Sequence, residues 1–95
     1  MLKCKLEILY KSTLTQERLY AAAQQAADDR DWEEYDGLID AKMDMSFALM
    51  DMKDCIKKQD LDGLKACAKQ VRRAMRYGTR FNSDLDMVAS SLEAL

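Results

Sequence analysis

The sequence predicts an all-α protein: an antiparallel bundle of three long helices, the last one kinked or broken near Gly78. Three observations carry that prediction. Pro is absent and Gly appears three times in 95 residues, while good helix formers fill much of the chain. Apolar residues recur at spacings of three and four through three long segments, the period of a helix with a buried face. Short acid-rich links separate the segments near Asp29 and Gln59, and links that short force consecutive helices antiparallel. Hydrophobic residues make up 48% of the chain, enough to fold residues 1–95 as a single domain near the lower size at which a core holds together unaided.

The first helix spans Leu2 to about Asp28. Leu2, Leu6, Leu9, Thr13, Tyr20, Ala23 and Ala27 share one face, which Ile8, Leu14 and Leu19 leave. Either that face is broad or the helix restarts at Ser12-Thr13, which with Gln16 downstream resembles a capping box. Asp28-Asp29-Arg30-Asp31 is the first turn. Asp29 or Asp31 caps the next helix, and Glu33-Glu34 suit the positive end of its dipole. Trp32 is placed to close that corner, partly buried.

The second helix, Asp31 to Ile56, organises the rest. One apolar row runs Tyr35, Leu38, Met45, Leu49, Met52, Ile56, with Lys42 in the gap, and reads as core. A second set, Trp32, Ile39, Met43, Phe47 and Met50, points elsewhere, beginning roughly 100° round from Leu38. Lys57-Lys58-Gln59-Asp60 then ends this helix and starts the next. Asp31-Trp32-Glu33-Glu34-Tyr35 and Asp60-Leu61-Asp62-Gly63-Leu64 share a pattern: Asp, large apolar, acid, any residue, large apolar. Two helix starts are solved the same way.

In the third segment Leu61, Leu64, Ala68, Val71, Met75, Gly78, Asn82, Leu85, Ala89 and Leu92 form a row. Its phase survives Gly78, which favours one continuous helix, kinked there. The competing arrangement ends the helix at Gly78. Ser83 or Asp84 would then cap a short fourth helix carrying Leu85, Val88, Leu92 and Leu95.

Composition excludes several classes of function. There is no His, the commonest general base and metal ligand, and no Gly-rich phosphate loop or Cys-x-x-Cys pair. No enzyme activity, cofactor or metal is expected. Asp36, Asp40, Asp44, Asp51 and Asp54 read as a solvated acidic face. Cys55 and Cys67 flank the second turn and read as small hydrophobes. With Cys4 they make an odd number, unlike a secreted disulfide framework. The longest apolar runs are too short to span a membrane, and the charged start is unlike a signal peptide, so a cytoplasmic protein is expected.

Charge is unevenly spread. Asp28 to Asp62 holds twelve acids against five bases, and Lys65 to Arg80 holds six bases and no acid. Lys65, Lys69, Arg72, Arg73, Arg76 and Arg80 share an arc of roughly 100°. An overall pI near 5.1 and the lack of a DNA-binding motif argue against nucleic acid. The stripe reads as a face paired with neighbouring acids, or as a contact for an acidic protein.

The second row of the second helix is the candidate site. Ile39, Met43, Phe47 and Met50, with Val88 and Leu92 of the last helix, are expected to line an exposed apolar groove, because the Leu38 and Leu64 rows already supply a core. Methionine suits surfaces that accept varied helices, and an amphipathic partner helix would set its anchors there.

The run Ala27-Asp28-Asp29-Arg30-Asp31-Trp32-Glu33-Glu34-Tyr35-Asp36-Gly37-Leu38-Ile39 resembles the first corner of flagellar export chaperones of the FliT type. There a long helix ends in an acidic turn, followed by a tryptophan and a helix start of the same pattern. Arg76 to Leu85 resembles more loosely the long last helix of the related FlgN type. The chain departs from the first in lacking an obvious fourth, regulatory helix, and from the second in lacking its paired Asn pattern. The resemblance implies a cytosolic type III export chaperone that shields an amphipathic helix of a secreted client, such as the filament cap protein, and touches export-apparatus components. The alternative is a structural or self-associating helical module, in which the extra row makes a homodimer.

Overall fold

The computed structural model describes residues 2–95, with side chains from residue 3 onward. Four helices run up and down the long axis: α1 (Leu2–Asp28), α2 (Trp32–Lys57), α3 (Leu61–Ala74) and α4 (Asn82–Glu93). A 3-10 turn, Met75–Tyr77, extends α3. The bundle measures 43 × 18 × 17 Å. Consecutive helices pack along their lengths, and α4 returns to α1 through a thinner seam.

The two long corners are built alike, as their shared sequence pattern predicts. Arg30 and Gln59 both take the left-handed conformation, at φ 58° and 57°. The Asp31 amide donates back to the Ala26 carbonyl at 2.9 Å and Arg30 to Ala27 at 3.0 Å. The second corner repeats this, Asp60 to Cys55 at 2.8 Å and Gln59 to Ile56 at 3.1 Å. Such a pair of bonds closes a helix C-terminus in the Schellman manner. The following Asp restarts the chain: Asp31 accepts from the Glu34 amide at 3.2 Å, and Asp60 from the Gly63 amide at 2.9 Å. Each carboxylate satisfies an amide that the first turn leaves without an intrahelical partner.

The core row of α2 falls where the periodicity puts it. Leu38, Met45, Leu49 and Met52 are buried, with Tyr35 and Ile56 packed at the margins. The phase of α1 is different from the expected one. Its buried face is Ile8, Ser12, Thr15, Leu19, Ala22, Ala23 and Ala26, while Leu6 and Tyr20 are exposed. Two hydroxyls hide the true row. Thr15 donates to the Lys11 carbonyl at 2.9 Å, and the Ser12 hydroxyl lies 3.7 Å from the Met52 sulfur. Their polar groups are met inside the fold, so burial costs little. The helix also runs unbroken through Ser12-Thr13. Thr13 donates to the Leu9 carbonyl at 2.8 Å rather than capping a restart.

The third segment is broken, not continuous. Gly78 sits at φ 63°, beyond the reach of most side chains, and closes the 3-10 turn with its amide on the Met75 carbonyl at 3.1 Å. The Asn82 side-chain amide donates to the same carbonyl at 3.0 Å. Neither Ser83 nor Asp84 caps α4, whose N-cap position is Phe81. The periodic row kept its phase because the residues between the two helices, Met75 to Phe81, number close to two helical turns. The chain reverses without shifting the count. A fourth helix therefore exists, and its Leu85, Val88, Ala89 and Leu92 complete the core.

Candidate functional site

The outward face of α2 carries Met43, Phe47 and Met50, exposed at 49, 58 and 66%. They are brought together by helical spacing, and Ile39, half-buried, sits one turn before them. The four span about 17 Å of helix. Phe47 and Met50 also form one wall of a shallow depression between α2 and α3, completed by Asp44, Asp51, Gln70 and Arg73. These are four of the six residues expected at the site. The other two are corrected: Val88 and Leu92 are 2% and 0% exposed and belong to the core. A four-helix bundle needs an inward row from every helix, and these two, with Leu85 and Ala89, are the inward row of α4.

Trp32 stands at the first corner but is largely exposed there, its ring edge-on to Tyr35 at 5.7 Å. It joins the outward row of α2 rather than sealing the hairpin. Leu6 and Tyr20, expected on the apolar face of α1, are exposed, and so is Tyr10. Among the described residues, seven of the eight exposed large hydrophobic side chains lie on α1 and α2, the exception being Met87 of α4. The signal that would have found them is the alternative phase of α1 through Ile8 and Leu19.

Three of the six bases on the third segment are engaged. Arg72 bridges α4, its guanidinium on Asp86 at 2.8 Å and Glu93 at 2.6 Å. Arg76 faces Asp44 at 3.4 Å, and Arg80 meets Glu34 at 3.0 Å. The contacts to Glu93 and then Asp86 raise Arg72 above its ordinary pKa, and Arg72 in turn holds Glu93 below the usual carboxylate range. Arg76 and Arg80 are exposed, so their pairs add little to stability, whereas half-buried Arg72 grips both carboxylate oxygens of Glu93. Lys65, Lys69 and Arg73 are exposed and make no ion pair among the described residues.

The Cys67 thiol offers no reactive centre. Cys67 is buried, its sulfur 3.3 Å from the Gly63 carbonyl. Burial, reinforced by neighbouring Cys55, pushes its thiol up to about 12, where it is neutral and unreactive at physiological pH. Among the described residues, no group of three or more acids and cysteines is gathered closely enough to hold a metal. Among the described residues, no helix is long and apolar enough to cross a membrane.

The chain matches no protein-family model, no curated protein and no solved structure.

Proposed function

We propose that this chain is a helix-binding module whose α2 face receives an amphipathic helix of a partner protein, acting in the cytosol as an export chaperone of the kind its first corner resembles. One observation supports the reading above the others: Met43, Phe47 and Met50 stay outside a core that is already complete without them. A row of large apolar groups on a surface is usually a contact surface. Two of the three are methionines, which adapt to differently shaped anchors. The row has the length of two or three turns, matching the anchors of a helix laid along it.

The test is titration of a fluorescein-labelled amphipathic helix from a filament cap protein, read by anisotropy. Phe47→Asp should abolish binding while the circular dichroism spectrum is unchanged. Unaltered binding by that variant refutes the site, and loss of helicity places Phe47 in the core instead.

Self-association is the second reading, favoured by Leu6, Tyr10 and Tyr20 on the other helix of the same hairpin. Light scattering separates the two. A dimer that Tyr10→Asp and Phe47→Asp both dissociate, in a protein that binds no client helix, favours the structural module.

A further inference from the structure

The charges the fold leaves uncompensated are sorted along the α2 row. At one end Asp36 and Asp40 are exposed and make no ion pair among the described residues. The corner Asp28-Asp29-Arg30-Asp31 and Glu33 add further net negative charge there. At the other end stand Lys65, Lys69 and Arg73 of α3. Their register against α2 is set by neighbours: Gln70 donates to Asp51 at 2.5 Å, and Arg73 borders the depression beside Phe47 and Met50. Asp51 offsets one of these three cations, Asp54 is held by Lys58 at 3.0 Å, and Asp60 and Asp62 are balanced by Lys53 and Lys57, so that end stays positive. Between the two ends Asp44 is matched by Arg76, and beyond Asp36 Glu34 is matched by Arg80. From Asp36 to the level of Asp51 is about 22 Å along the helix, more than two Debye lengths at physiological salt. A bound helix of five turns would therefore feel the two ends separately.

We propose that the partner helix is itself bipolar, acidic in its first turns and basic in its last, and that it lies antiparallel to α2. Its N-terminal acids then face Lys65, Lys69 and Arg73, and its C-terminal bases face Asp36 and Asp40. The inference rests on the helix-binding reading and adds the chemistry and direction of the partner. Acids first and bases last is the charge order that a helix's own dipole stabilises, so a partner of this order loses nothing as a helix. In the opposite direction it would set like charges together at both ends. The apolar row fixes where the helix sits; the flanking charges decide which way it points.

The experiment uses a synthetic 18-residue amphipathic peptide with one Leu row, Glu flanking its first half and Lys its second, and a nitroxide at its N-terminus. Amide signals of the full chain are followed by NMR. The expected result is broadening at Gly63 and Lys65 and none at Gly37. In the variant D36K/D40K/K65E/K69E/R73E, whose changed side chains are all exposed, the broadening should move to Gly37. A peptide of equal composition with Glu and Lys alternating along its length should bind about tenfold more weakly. Broadening at both ends, a direction unchanged in the variant, or equal affinity for the two peptides overturns the bipolar partner and leaves the helix-binding reading standing. If neither peptide binds, the helix-binding reading falls with it.

Discussion

Leu92→Ala and Phe47→Gln, measured side by side, separate the core from the binding face. Both positions were expected to line one groove, yet Leu92 is 0% exposed and Phe47 58%. Removing the Leu92 side chain deletes buried methyl groups and leaves a cavity against Leu85, Val88 and their neighbours. Leucine truncations of this kind cost about 2–5 kcal/mol, and about 3 kcal/mol is the reasonable centre. In a domain of this size that is a fall in Tm of roughly 15 °C. Phe47 has less than half its surface covered, roughly 80 Å² at about 25 cal/mol per Å², for a ceiling near 2 kcal/mol. The glutamine stem retains part of that cover, so about 1 kcal/mol or less is expected. Urea unfolding followed at 222 nm gives both numbers. Binding of the partner helix should follow the opposite order, lost in Phe47→Gln and retained by folded Leu92→Ala. Equal stability losses, or a binding defect confined to Leu92→Ala, would refute the division of the chain into core and face.

Other expectations concern the corners and the charge bridge. Gln59→Gly should stabilise the protein by about 0.5–1 kcal/mol, because glycine carries no penalty at the left-handed φ that Gln59 adopts; an unchanged or lower urea midpoint would count against it. Gly63→Ala should destabilise despite alanine's helix advantage of about 1 kcal/mol. The new methyl would meet the Asp60 carboxylate and the Cys55 sulfur at 2.9 Å, breaking a cap worth about 1 kcal/mol and disturbing the packing behind it; a rise in Tm would show that Asp60 moves aside freely. In Arg72→Gln, NMR titration should show the Glu93 pKa rising toward the ordinary carboxylate value, since Arg72 is the main cause of its depression. The sign of the linkage follows: Glu93 contributes stability above its ordinary pKa and loses it as pH falls through the depressed one, so the variant should lack that part of the acid limb of the stability curve.

Legibility in the sequence followed the chemistry of individual residues. The inward row of α2 was plain because Leu38, Met45, Leu49 and Met52 are large, apolar and evenly spaced. The corners were plain because Asp31 and Asp60 do their work within three residues of themselves. The phase of α1 was obscured by Ser12 and Thr15, polar letters whose hydroxyls are satisfied inside the bundle. The break at Gly78 was obscured by a linker close to two turns long, which leaves a periodic count undisturbed while the chain doubles back. Val88 and Leu92 were misplaced for the same reason: three helices need fewer inward rows than four. Met43, Phe47 and Met50 were readable as surplus because the Leu38 row already filled the inward side of the same helix.

The paired corners have a consequence for how the molecule is made. Each is a stop and a restart written in nine consecutive residues, and neither waits for a distant part of the chain. Low separation between contacting residues favours fast folding, on the order of microseconds to milliseconds for helical bundles. The α1–α2 hairpin carries both of its signals within residues 26–34, and it also carries the whole Met43–Met50 row. During synthesis that row is complete before α3 has left the ribosome, so a partner helix could meet its surface on a chain still under construction.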